Sequence, residues 1–309
     1  MRWLSRGLVL FSAAVIGSLA LHTPLAAQEF DEQLSIDASS LKLGNLIGEI
    51  QIEGHRGSNF EVEIHVRGED ASRDLIRVET KEGRNAEVAI LFPLDEETRY
   101  VYPGLGSRSK TSFSIGKEGG SSWWKELLGQ NGSKVEVRGS GKGLEVWADV
   151  VIRVPRGKEL DVRHGVGHTV ATGVDGDMGL DSKSGRIEVS DHTGGLSADT
   201  GSGPVIVTDA QGTVNVDTGS GGVEVSDVDG EVRVDTGSGG VDVMRCKGDV
   251  VSVDTGSGSV SVDDVSCGRL TVDTGSGGIK ARGVETEDAS LDTGSGSVTF
   301  VLTRLAGDV

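Results

Sequence analysis

Six copies of the pentapeptide Asp-Thr-Gly-Ser-Gly begin at Asp199, Asp217, Asp235, Asp254, Asp273 and Asp292. Asp-Thr-Gly-Ser is the local pattern of an aspartic peptidase, whose chemistry needs two carboxylates close enough to share one proton. The copies recur at spacings of 18, 18, 19, 19 and 19. Six evenly spaced copies cannot all sit in catalytic loops, so the peptidase reading fails. The residue types suit a turn instead. Asp can accept hydrogen bonds from turn amides, and Gly at the third and fifth places permits positive φ. Calcium-binding β-rolls use Gly-Gly-x-Gly-x-Asp nonapeptides, and this chain lacks that register. The repeated Gly-Ser-Gly has no base nearby and no nucleophile elbow around it. The histidines (His22, His55, His65, His164, His168, His192) show no metal-ligand spacing. They read as scattered surface residues, except His192 at a corner expected to face inward. No catalytic, metal or cofactor-binding residue is assigned.

The elements that carry these turns follow from the repeat. One period back from Asp199 stands Asp181, and one period further back Arg163, so there are eight units, the first two degenerate. A fixed period on this scale is the mark of a repeat array. Before the turns stand Val162, Leu180, Ala198, Val216, Val234, Val253, Val272 and Leu291. After them come Ile187, Val205, Val223, Val241, Val260, Ile279 and Val298, with polar residues between the apolar ones. That is period-two alternation on two short strands per unit. Val174, His192, Ala210, Val228 and Cys246 recur two residues before a second-turn glycine, which predicts an inward corner. The additional residue of the longer units falls near this second turn. Two arrangements fit, a stack of parallel coils or an antiparallel meander. Strict repetition of the turn favours the stack, an all-β solenoid of about eight 18–19-residue coils. Coils spaced about 4.8 Å apart line Asp181, Asp199, Asp217, Asp235, Asp254, Asp273 and Asp292 into a ladder. Repulsion between exposed neighbours then costs about 0.9 kcal/mol per pair in water.

The remaining chain divides in three. Residues 1–27 read as a secretory signal peptide: Arg2 and Arg6, an apolar run from Leu8 to Leu21, and Ala26-Ala27 before the cut. Export implies an oxidising compartment, in which Cys246 and Cys267, near corners of adjacent coils, form a candidate disulfide. Residues 28–159 are mainly strand and are expected to cap the N-terminal end of the solenoid formed by residues 160–309. After Leu302 little material is left for a second cap. Within 103–143 lies an insert with 10 Gly, 8 Ser and seven Lys or Arg against three Glu. Its Ser-Ser-Trp-Trp-Lys-Glu-Leu-Leu segment places Trp123 and Trp124 at i,i+4 from Leu127 and Leu128. Two readings stand: a contact for an anionic membrane surface or a partner, or aromatics folding back to plug the solenoid. The whole chain has 309 residues, 48 of them Gly, only 5 Pro and 4% aromatics, and a formal charge of -18. Too little Pro and no Gly triplets exclude collagen, and the acidity disfavours nucleic acid.

Leu46-Ile-Gly-Glu-Ile-Gln-Ile-Glu-Gly54, Val154-Pro-Arg-Gly157 and the Val-Asp-Thr-Gly-Ser-Gly-Gly-Val units together resemble the secreted bacterial β-strand repeat family called "putative adhesins", a domain of unknown function. The resemblance covers about residues 40–305 and is strongest from 150 onward; the tryptophan insert lies outside its pattern. It implies a β-strand repeat architecture and supplies no catalytic residues. The expectation is an exported, noncatalytic binding or scaffold module in the periplasm, at the surface or in the medium. Its partners would be envelope glycan, a membrane surface or a surface protein, with no cofactor and no nucleic acid. The alternatives are a calcium-stabilised rod and a carbohydrate-active enzyme on a β-helix.

Overall fold

A computed structural model describes residues 28–114 and 134–305. The leader at 1–27 and both Trp123 and Trp124 lie outside the described residues, so neither expectation is met there with a structure.

The chain is an all-β solenoid. From residue 159 to 305 it makes eight successive coils, one per sequence unit, and like strands stack in parallel without slippage until the last pair. Asp181, Asp199, Asp217, Asp235, Asp254, Asp273 and Asp292 are consecutive partners on one face, which we term face A. The strands after the turn stack likewise on the opposite sheet, face B, from Thr169–Thr172 to Val298–Leu305. The added residue sits where expected. Asp229 pairs with Lys247, at the shorter period, whereas Val232 pairs with Val251, one position further on.

One more coil comes from elsewhere in the chain. Strands Ser40–Ile47 and Ile50–His55 stack directly beside Glu159–Val166 and Thr169–Thr172. Gly44-Asn45-Leu46-Ile47-Gly48 occupies the place of a repeat turn, with Gly44 beside Arg163 and Asn45 beside His164. The segment Leu46–Glu53 therefore passes around a corner at Gly48-Glu49, between the end of one strand and the start of the next. The returning strand Trp147–Pro155 lies under Ile50–His55 in parallel, and Phe60–Arg67 and Phe30–Ile36 follow it antiparallel. On face A, Asn85–Leu91 continues the parallel stack and Arg77–Lys81 closes it antiparallel.

A separate four-stranded sheet, Arg99–Val101, Lys110–Ser114, Lys134–Arg138 and Leu144–Glu145, packs on this end. The sheet joins two strands from inside the 103–143 segment, Lys110–Ser114 and Lys134–Arg138, to one on either side of it, so the compositional edge is not a structural one. Phe60, Phe92, Tyr100 and Tyr102 are buried here, with Phe92 and Tyr100 edge-to-face at 5.7 Å. The coils themselves are filled mainly by Val, Leu, Ile and Ala in one continuous core, with no Phe, Tyr or Trp buried among the described residues from 159 onward. Among the described residues nothing covers the last coil. Val298 is 45% exposed, while Val241, Val260 and Ile279 in the same inward column are at most 1% exposed.

Candidate functional site

The concentration of like groups on face A makes it the candidate surface. Each repeat turn alternates in-out-in: valine inward, aspartate outward, threonine inward. Thr200, Thr218, Thr236, Thr255 and Thr274 are buried. The Thr274 and Thr293 hydroxyls donate to the carbonyls of Gly258 and Gly277 in the preceding coil at 3.1 and 2.9 Å. Nearer the N-terminal end, Ser182, His164 and Asn45 take the place of these threonines. His164 is fully buried, which overturns the reading of it as a surface residue, and burial pushes its pKa down to about 4. His192 is buried at its corner, as expected, and its pKa is lowered by desolvation.

The turn works differently from the expected Asx cap. Among the described residues, Asp217, Asp235, Asp254, Asp273 and Asp292 make no side-chain hydrogen bond. The turn amides bond along the stack instead: Gly219 N–H donates to Thr200 O at 2.9 Å and Gly221 N–H to Ser238 O at 3.1 Å. The parallel ladder thus continues around the corner. The fifth-place glycines are needed for close approach. A Cβ on Gly221, Gly239, Gly258, Gly277 or Gly296 would lie 1.9–2.0 Å from the carbonyl oxygen of the glycine one coil earlier. None of these five has a φ in the left-handed region, whereas Gly167, Gly185 and Gly203 at the same place have φ of 141°, 148° and 142°, so the conformational reason offered from the sequence holds in the first three units and close approach alone accounts for the rest.

From Asp217 onward the carboxylates consequently project from face A, one per coil, without a turn amide to hold them. At the upstream end the ladder meets cations: Arg163 is the register partner of Asp181, and Lys183 Nζ lies 3.5 Å from the Asp181 carboxylate. Here Gly179 interrupts a column of outward side chains and leaves a groove of about 270 Å³, walled by Lys42, Asp161, Arg163, Asp181 and Asp199. Among the described residues no group of three His, Cys, Asp or Glu is placed to hold a metal ion. No helix there is long and apolar enough to cross a membrane.

A second column escaped sequence reasoning. At the other corner Asp191, Asp209, Asp227, Arg245 and Asp264 all have φ of 52–57°, flanked by Gly173 at 68° and Gly283 at 64°. The left-handed conformation favours Gly, Asp and Asn. Asp three residues before the second-turn glycine was the available signal. Arg245 joins this column by pairing bidentately with Asp227, at 2.7 and 2.6 Å.

Cys246 and Cys267 are separate buried thiols. Cys267 is in register with Gly248, not Cys246. Cys246 Sγ lies 4.0 Å from Val225 O of the preceding coil, and Cys267 Sγ lies 3.8 Å from Thr286 Oγ1 of the following one.

The family model described as Toastrack DUF4097 matches residues 227–309, the C-terminal half of the solenoid. That agrees with the resemblance to a domain of unknown function among adhesin-like repeat proteins. No curated protein matches the sequence. Among solved structures, a "putative adhesin" from Parabacteroides distasonis ATCC 8503 is similar with a TM-score of 0.43 and 12% identity, over 88% of this chain and 98% of that one. A "putative lipid binding protein" from the same strain has a TM-score of 0.40 and 10% identity, over 89% and 97%. A "putative adhesin" from Bacteroides fragilis NCTC 9343 has a TM-score of 0.36 and 11% identity, over 89% and 96%.

Proposed function

We propose that this chain is an exported, noncatalytic β-solenoid that acts as an adhesin-like binding or scaffold module at the cell envelope. The observation that carries the reading is the registered column of seven outward carboxylates on face A. A flat face that repeats one group every coil suits a partner with its own repeat, through many weak contacts whose avidity comes from number. Uniform columns support binding over turnover, because paired-carboxylate catalysis needs its two carboxyl groups in unlike environments. Envelope glycan, a membrane surface and a surface protein are the partner classes. Purified residues 28–309 should bind whole cells or at least one glycan of an envelope panel. Asp217→Asn/Asp235→Asn/Asp254→Asn should weaken that binding at least tenfold while leaving the melting curve intact. Binding to neither cells nor panel overturns the proposal.

A cation-stabilised rod is the second reading. The ladder carboxylates from Asp217 onward receive no turn hydrogen bonds, so their mutual repulsion invites counter-ions. Thermal melts with calcium and with chelator separate the two, since equal midpoints remove the rod reading.

A further inference from the structure

The left-handed corner column ends at Gly173, which carries no side chain. In the coils that follow, the same position holds Asp191, Asp209, Asp227, Arg245 and Asp264. At Gly173 no side chain fills the place, and the only atom within 4 Å of a Cβ built there is Asp191 Oδ2 at 3.9 Å. The result is a nook of about 190 Å³, bounded by Gly54, His55, Arg56, Arg156, Gly173 and Asp175. Its floor is tight backbone: a Cβ on Gly54 would stand 1.7 Å from Gly173 O.

Cationic and imidazole groups converge on it from two turns. Arg56 follows the strand Ile50–His55, is exposed, and has no ion pair among the described residues. Arg156 follows Pro155 and places Nε 2.9 Å from Asp175 Oδ2, which leaves its terminal nitrogens for another acceptor. The His55 ring is held between two bonds: Gly57 N–H donates to Nδ1 at 3.3 Å, and Nε2 lies 2.9 Å from Asn59 O. Two guanidinium groups line this dent against one carboxylate, Asp175, which leaves Arg56 and the terminal nitrogens of Arg156 for an anion. Paired guanidiniums recognise planar or tetrahedral oxyanions through directed, charge-assisted hydrogen bonds.

We propose that this corner nook is a binding site for an oxyanion group, such as phosphate, sulfate or carboxylate, held by Arg56 and Arg156. It is independent of face A, so failure of the ladder proposal leaves it standing, and the reverse is also true.

The test uses the residue chemistry of the column itself. Inorganic phosphate, sulfate and acetate are titrated in turn while the Arg56 and Arg156 side-chain Nε signals are followed by NMR. Phosphatidylglycerol vesicles, against phosphatidylcholine, distinguish a surface-borne phosphodiester from a free ion. At least one probe should shift both arginines with a Kd of about 1 mM or tighter, and weaken with added salt. Arg56→Ala/Arg156→Ala should weaken that binding at least tenfold, while Arg269→Ala, at a distant ion pair, should not change it. Gly173→Asp installs the residue that the next coils already accept at this backbone conformation, so the fold is kept while a carboxylate enters the nook. It should abolish binding, and Gly173→Asn, of similar size but neutral, should retain part of it. The proposal is overturned if no probe shifts the arginines, or if binding persists in the double variant or in Gly173→Asp.

Discussion

At the scale of single residues, the glycines of the turn do two jobs that composition cannot separate. A Cβ on Gly239 would lie 1.9 Å from Gly221 O, whereas one on Gly240 would meet Ser259 O at an ordinary 3.6 Å. Gly239→Ala should therefore cost about 3 kcal/mol through backbone displacement, and Gly240→Ala about 0.5 kcal/mol or less. Urea midpoints of the two variants decide it. His164 supplies a second residue-scale prediction. Its folded pKa, about 4, lies below the unfolded value of 6.5 because burial disfavours the cation. The unfolded chain then binds more protons below pH 6.5, so stability is full above that pH and falls as the pH drops toward 4. The loss from this one group is about 3 kcal/mol. Denaturation of His164→Ser across pH 4–7 should show a shallower slope than the parent, and an equal slope would contradict the assignment.

At the scale of elements, the strands of the eight units were legible because period-two alternation and an 18–19-residue repeat agree at every coil. The coil at 40–55 was not. Its turn reads Gly44-Asn45-Leu46-Ile47-Gly48 and shares only the closing glycine with the repeats. Its partners lie across a long stretch of chain, which local periodicity cannot bridge. The carboxylate ladder was legible for the same reason as the coils, since register fixes it once stacking is granted. The bonds around it were not, because a side-chain cap and an inter-coil backbone ladder use the same residues. The period already put His164, next to Arg163, at the threonine place, but that this place faces inward is shown only by the buried threonines of the stack. The cysteines illustrate the limit of adjacency: both lie near one corner, yet they differ by two places along the coil. Unfolding without reductant should release two titratable thiols per chain, and the folded protein should react slowly, Cys246 most of all because burial pushes its thiol up to about 11. Recovery of no thiol would mean that they are bridged.

At the scale of the whole molecule, acidity and repetition set the behaviour. With a net charge of -18 and a carboxylate on each of seven adjacent coils, self-repulsion opposes the folded state. Raising sodium chloride from about 0.02 to 0.5 M shortens the Debye length from roughly 20 Å to 4 Å and should raise the melting temperature. The corresponding rise in Asp235→Asn/Asp254→Asn should be smaller, and an equal rise would place the repulsion elsewhere. Near-identical coils carry another hazard. Each coil would sit almost as well one place up or down the stack, so an array of this kind can assemble in a shifted frame. The coil at 40–55 and the returning strand Trp147–Pro155 are layers whose sequences have no near-copy in the array. They are therefore the seat that fixes where counting starts. Because the layer at 40–55 is donated from far upstream, the array has a beginning before its own first repeat is made. A chain deprived of that seat should keep its coils while losing agreement on which one comes first.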